Sequence, residues 1–195
     1  MSRHRVHLWA LAASLLAGCA ATPAAKFYTL TASAAAGALP SASPVACRGV
    51  GVGPVWIPDE VDRPQIVLRL GANRVAIDEH QRWAAPLQSG IQLAVVENLS
   101  RLLGSVAVVP YPEGIALDPD CRLEIQVLRF DSTPGATASL EVLWMVRRAK
   151  GGPPRAGRTR VDEPLTASGV DALVAAHSRA LERLSRDLAD ALRLP

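Results

Sequence analysis

The 195-residue chain has only three cysteines and four histidines, and it contains no Cys-x-x-Cys, His-Glu-x-x-His or Gly-x-Ser-x-Gly motif. Each gap removes a chemistry. Without Cys-x-x-Cys or paired histidines there is no ligand set for zinc, and no metal ligand is assigned. Without Gly-x-Ser-x-Gly there is no nucleophile elbow. Gly49, Gly51 and Gly53 lack the third glycine of a dinucleotide loop and any Lys-Ser/Thr behind them, so they make no phosphate cradle. His80 sits at a hairpin exit, and His177 falls on a helix stripe between Val174 and Leu181, where a packed histidine is expected. Asp59, Glu60 and Asp62 cluster beside turns as solvated acids do, so no catalytic residue is assigned. Charged residues make up only 20% of the chain, with 21 Lys and Arg against 18 Asp and Glu. Two of those arginines, Arg3 and Arg5, lie in a segment read below as removed. The remaining surface is close to neutral and offers no electrostatic footprint for nucleic acid. No apolar run approaches the ~20 residues that cross a bilayer as a helix.

What is present begins at the N-terminus. Arg3 and Arg5 precede the short apolar run 8–17 (LWALAASLLA), then Gly18 and Cys19. That order is a secretory signal peptide. Leu16-Ala17-Gly18-Cys19 resembles the bacterial lipobox at all four positions, the alternative being a plain signal peptide with an incidental cysteine. The lipobox reading implies diacylation of the Cys19 sulfur, removal of residues 1–18 and acylation of the new amine. The covalent lipid on Cys19 is then the only non-protein group expected, with no cofactor. Ala20 in place of Asp implies export onward to the outer membrane, with the body facing the periplasm. Residues 20–44, rich in Ala, Ser, Thr, Pro and Gly, read as a flexible tether behind the lipidated residue 19. Phe27-Tyr28-Thr29-Leu30 interrupts it and is able to add an edge strand. The folded body is expected over 45–195.

Within the body, residues 45–57 read as a strand with its three glycines on one face, bare so that a helix approaches closely. Runs 65–70 and 74–77 form a hairpin about Gly71-Ala72-Asn73. Pro86 opens a helix whose stripe is Leu87, Ile91, Val95, Leu99 and Leu102, ended by Gly104. Strands follow at 106–109, 122–130, 138–147 and, more weakly, 158–165. A capping box, Ser168-x-x-Asp171, starts the last helix, whose stripe is Val170, Val174, His177, Leu181, Leu184 and Leu188. On its outer face Glu182 pairs with Arg186 and Arg183 with Asp187, which reads as a solvated face. This order predicts an α+β fold, a single mixed or antiparallel sheet with two helices packed on one face. Cys47 and Cys121 each precede a strand. In an oxidising compartment they suit a disulfide, while two free buried thiols are the other reading.

Residues 52–94 (VGPVWIPDEVDRPQIVLRLGANRVAIDEHQRWAAPLQSGIQLA) closely resemble the ABC-type transport auxiliary lipoproteins, the PqiC-like family. The matching elements are the lipobox, Phe27-Tyr28-x-Leu30, Val-Gly-Pro-Val before a proline, Asp62-Arg63-Pro64-Gln65-Ile66-Val67, Asn73-Arg74-Val75, Arg82-Trp83-Ala84, Pro86-Leu87, Arg129-Phe130 and Trp144. This resemblance implies a non-enzymatic auxiliary subunit working with an MCE-domain (mammalian cell entry) protein and an inner-membrane ABC transporter in lipid transport and envelope integrity. It also implies an acyl-anchored outer-membrane protein. The rival readings are an accessory lipoprotein for assembly or secretion of another envelope complex and a periplasmic enzyme of unrecognised type. Residues 58–83 combine turn prolines, Arg63, Arg74 and Arg82, and the bounding Trp56 and Trp83. Trp and Arg concentrate at interface hot spots, so this hairpin surface is the expected contact for the MCE-domain partner or for a neighbouring copy of the same subunit in a homo-oligomer, unless both tryptophans are core.

Overall fold

The computed structural model describes residues 23–33, 45, 47–112, 118–149 and 151–193. The lipobox residues Leu16, Ala17, Gly18 and Cys19 lie outside them. The described residues build an α+β fold of eight strands and two helices. The strands are β1 (Lys26–Tyr28), β2 (Gly49–Trp56), β3 (Gln65–Gly71), β4 (Arg74–Trp83), β5 (Ala107–Pro110), β6 (Cys121–Thr133), β7 (Thr137–Arg148) and β8 (Arg155–Pro164). The helices are α1 (Leu87–Leu103) and α2 (Val170–Leu192).

Strand β6 organises the sheet. One of its edges pairs antiparallel with β7 along its whole length, and β7 pairs with β8. Its other edge is shared: the N-terminal half pairs parallel with β2, and Ser132 near the C-terminus meets Leu68 of β3. From β2 the sheet continues to β5, and from β3 through β4 to β1. Alternation along β6 turns Leu123, Ile125 and Val127 toward the helices, where they are buried. Both helices cover that face, α1 over β2 and β5 and α2 over β7 and β8. The stripe Leu87, Ile91, Val95, Leu99 and Leu102 is wholly buried, and Gly104 closes α1 at φ 63°.

Several expectations need correction. A helix meets the bare glycine face of β2 only at Gly53, where a Cβ would lie 2.8 Å from Gln92 Nε2 of α1. A Cβ on Gly51 would lie 2.8 Å from Pro119 Cγ, and one on Gly53 (φ 131°) 2.1 Å from the Tyr111 carbonyl. The connection between β5 and β6 fills that face instead. Gln92 of α1, outside the apolar stripe, is half-buried and donates to the carbonyls of Val52 and Tyr111, at 2.8 and 3.0 Å. The hairpin's second strand runs on to Trp83 through a shift of register between Gln65 and Ile66.

Helix α2 departs further. Gly169 stands at its N-cap with φ 95° and no side chain caps it, so the Ser168–Asp171 box does not form. Nor is its charged run one solvated face. Glu182 is buried and pairs with Arg186, while Arg183 reaches across to Glu163 of β8 rather than to Asp187. Asp187 accepts a hydrogen bond from Thr159 at 2.6 Å. The helix is wedged between β7, β8 and α1, so more of its circumference is buried than a single stripe provides.

Within the span read as a tether, β1 pairs parallel with β4, Lys26 opposite Gln81 and Tyr28 opposite Trp83. The chain behind it stays attached. Thr31 N–H donates to Ser178 Oγ, Ser33 N–H to Asn98 Oδ1, and Arg101 to the Ser33 carbonyl. Both helices therefore hold residues 26–33 in the body.

Candidate functional site

A shift of register in β6 between Val127 and Arg129 leaves both Leu128 and Arg129 exposed. Bulges of this kind re-aim side chains. Past it, Arg129 and Asp131 stand on the sheet face opposite the helices, and Arg69 of β3 joins them. Asp131 accepts hydrogen bonds from Arg129 at 2.6 Å and from Arg69 at 3.0 Å, while Arg69 also reaches Glu60 at 2.5 Å. Alongside, Glu141 of β7 accepts from Arg160 at 3.0 Å and from Arg158. Glu60, Arg69, Arg129, Asp131 and Glu141 line a groove of about 660 Å³ between the turn after β2, the end of β3 and β6, with Val61, Leu70 and Leu128 supplying apolar wall.

The electrostatics of the groove are closed. Hydrogen bonds from Arg160 and Arg158 hold the Glu141 carboxyl below its ordinary range, and Asp131 keeps Arg129 firmly protonated. Each of Glu60, Asp131 and Glu141 already accepts from a guanidinium, so none stands free as a base among the described residues.

The other ionisable group of note is internal. His177 of α2 is buried, stacked on Phe130 at 3.9 Å between ring centroids, with its Nε2 2.8 Å from Ser132 Oγ. Burial pushes its pKa down to about 3, partly opposed by the charge of Asp131. It is a neutral core residue.

Cys47 and Cys121 are bonded to each other, with Cα atoms 5.8 Å apart. The parallel pairing of Val50 with Cys121 brings the start of β2 to the start of β6. Beside the bond, the amides of Arg48 and Gly49 donate to Asp120 Oδ1 at 2.9 and 3.0 Å. The Gly49 amide, with the Arg48 side chain behind it, lowers the Asp120 pKa.

The three arginines of the expected contact surface do not converge. Arg82 pairs across β4 with Gln65, and Arg63 is two residues before it, so these two stand at the open end of the hairpin. Arg74 is exposed at the hairpin's turn, the opposite end. The tryptophans also part: Trp83 is core, edge-on to Phe130, whereas Trp56 is 51% exposed. Sequence reasoning missed Arg69, Asp131 and Glu141. Its one available signal was the break in alternation after Val127, where polar residues appear at positions expected to face inward.

The family model described as the ABC-type transport auxiliary lipoprotein component matches residues 28–189. No curated protein matches the chain significantly. Among solved structures, an uncharacterized protein aligns with a TM-score of 0.69 at 17% identity, covering 86% of this chain and 98% of its own. Protein XCC0632 from Xanthomonas campestris, of family DUF330, aligns with a TM-score of 0.68 at 21% identity, covering 85% and 93%. Both show the fold.

Proposed function

The chain belongs to the ABC-type transport auxiliary lipoprotein family, and from that membership we propose that it is an acyl-anchored subunit of an MCE-domain lipid transport system, docked at the outer membrane and facing the periplasm. The observation that carries this reading is the family match over nearly the whole body. Lipidation is placed on Cys19, after the Leu16-Ala17-Gly18 recognition residues, and two or more acyl chains hold a protein firmly where one does not. The bonded Cys47–Cys121 pair suits an oxidising compartment.

The subunit acts by binding, without catalysis, cofactor or nucleic acid. Its partner is the MCE-domain protein, met through the open end of the β3–β4 hairpin at Arg63 and Arg82. A double charge reversal there, Arg63→Glu with Arg82→Glu, is the test. The tagged, acylated double variant should lose most of its co-purifying MCE-domain protein while melting near the parent temperature. Undiminished recovery of that partner by the folded variant would move the contact elsewhere. Failure of the parent chain to capture any MCE-domain protein would remove the proposed system.

A further inference from the structure

Chain direction, tether length and charge distribution single out one end of the sheet. Strand β1 runs parallel to β4, so its N-terminal end at Lys26 faces the start of β4 at Arg74. Three connections share that end. The β3–β4 turn closes with Gly71 opposite Arg74, and the β6–β7 turn with Thr133 opposite Thr137. The β8–α2 connection joins them through Leu165 N–H to the Ala136 carbonyl at 3.0 Å. All three connections, 71–73, 134–136 and 165–169, contain no charged residue. Arg74 and Asp171 flank them, the paired Glu60 and Arg69 line the groove beside Gly71 and Ala72, and Leu70 and Val75 are exposed beside them at 47% and 37%. The opposite end of the sheet instead carries Asp118, Asp120, Arg147, Arg148 and Arg155.

The tether is short. Only seven residue steps separate Cys19 from Lys26, which at 3.3–3.6 Å each reach at most about 25 Å. Lys26 lies opposite Gln81, itself seven residues from Arg74, a strand distance of at most about 23 Å. With its seven steps almost fully extended, an anchor on Cys19 comes level with the uncharged end and reaches little beyond it. The charged end lies roughly 26 Å the other way along β6, behind a reversal at Lys26 and past the reach of about 25 Å.

We propose that the uncharged end formed by the β3–β4 turn, the β6–β7 turn and the β8–α2 connection, with Leu70 and Val75, rests on the surface of the bilayer that receives the Cys19 acyl chains. This inference rests on the lipidation in the reading above. It also orients that reading: the hairpin turn with Arg74 sits at the lipid, so the open end with Arg63 and Arg82 points away from it, toward a partner rising from the inner membrane.

The test uses the full acylated chain with a nitroxide on Ala72→Cys, on Ala136→Cys or, at the far end, on Arg147→Cys. With Cys19 acylated and Cys47 bonded to Cys121, the introduced thiol is the one available to label. Each protein is placed in vesicles of phosphatidylethanolamine and phosphatidylglycerol, and collisions with a water-soluble nickel chelate are measured. Labels at 72 and 136 should be severalfold less accessible than the label at 147. Adding Leu70→Glu and Val75→Glu should raise access at 72 severalfold, with acylation of Cys19 unchanged by mass. Equal access at all three positions in the vesicle-bound, acylated chain would overturn the contact and leave the anchor intact. Protection at 72 and 136 that persists in the unacylated Cys19→Ser chain free in solution would also overturn it, by showing that another protein copy covers this end. A mass without acyl chains on Cys19 would overturn the anchor itself.

Discussion

Buried His177 makes stability depend on pH in a window where few other groups titrate. Its folded pKa is about 3 because burial disfavours the imidazolium, whereas an unfolded histidine titrates near 6.5. Between those values the unfolded chain binds a proton that the folded chain refuses, so stability falls as pH drops. The slope approaches about 1.4 kcal/mol per pH unit, and by pH 5 the loss is about 2 kcal/mol relative to pH 8. The carboxylates held low, Asp120, Glu141 and Glu182, add their own loss only on further acidification, as pH falls through the carboxylate range. The window above pH 5 therefore belongs mainly to His177. Urea unfolding at pH 8, 6.5, 5.5 and 5 should show the parent midpoint falling across the series, with an unchanged denaturant slope. In His177→Leu the midpoint should be nearly flat over the same range. That variant also strands the Ser132 hydroxyl, which shifts the curve uniformly without adding pH dependence. An equal pH dependence in parent and variant would refute the argument, because the titrating group would then lie elsewhere.

Two further outcomes follow from the packing. The Cys47–Cys121 bond closes a separation of 74 residues, so the chain-entropy model gives it about 4 kcal/mol. The paired Cys47→Ser, Cys121→Ser chain should unfold at correspondingly lower urea, and free thiols on both residues of protein isolated without reductant would refute the bond. A Cβ on Gly157 would come within 2.3 Å of the Trp144 ring, whose Nε1 donates to Thr159 at 3.1 Å. Gly157→Val should therefore cost about 1–3 kcal/mol by overpacking and alter Trp144 emission. Unchanged stability and emission would mean that the indole does not lie across Gly157.

Local patterns in the sequence were enough for most elements and for the fold class. Period-two alternation in β6 and β7 and the apolar stripe of α1 each report which side of an element meets the core, and that needs only neighbours along the chain. The family, too, was legible in ordered short motifs from Phe27 to Trp144. The tertiary structure decided whatever depended on residues distant in sequence. It set Tyr111 and Pro119 against the β2 glycines, drew Arg183 to Glu163, and buried Glu182 in a helix face that i,i+4 spacing marks as solvated. The Arg69–Asp131–Arg129 cluster forms because β3 meets β6 beyond the bulge, a pairing between residues 62 positions apart. Most consequential is β1. Phe27 and Tyr28 show strand character in the sequence, but only pairing with β4 and the clamps from Asn98 and Ser178 bind that segment to the body. Those contacts hold residues 26–33 to the body, because a chain bound by both helices no longer samples the lengths its composition allows.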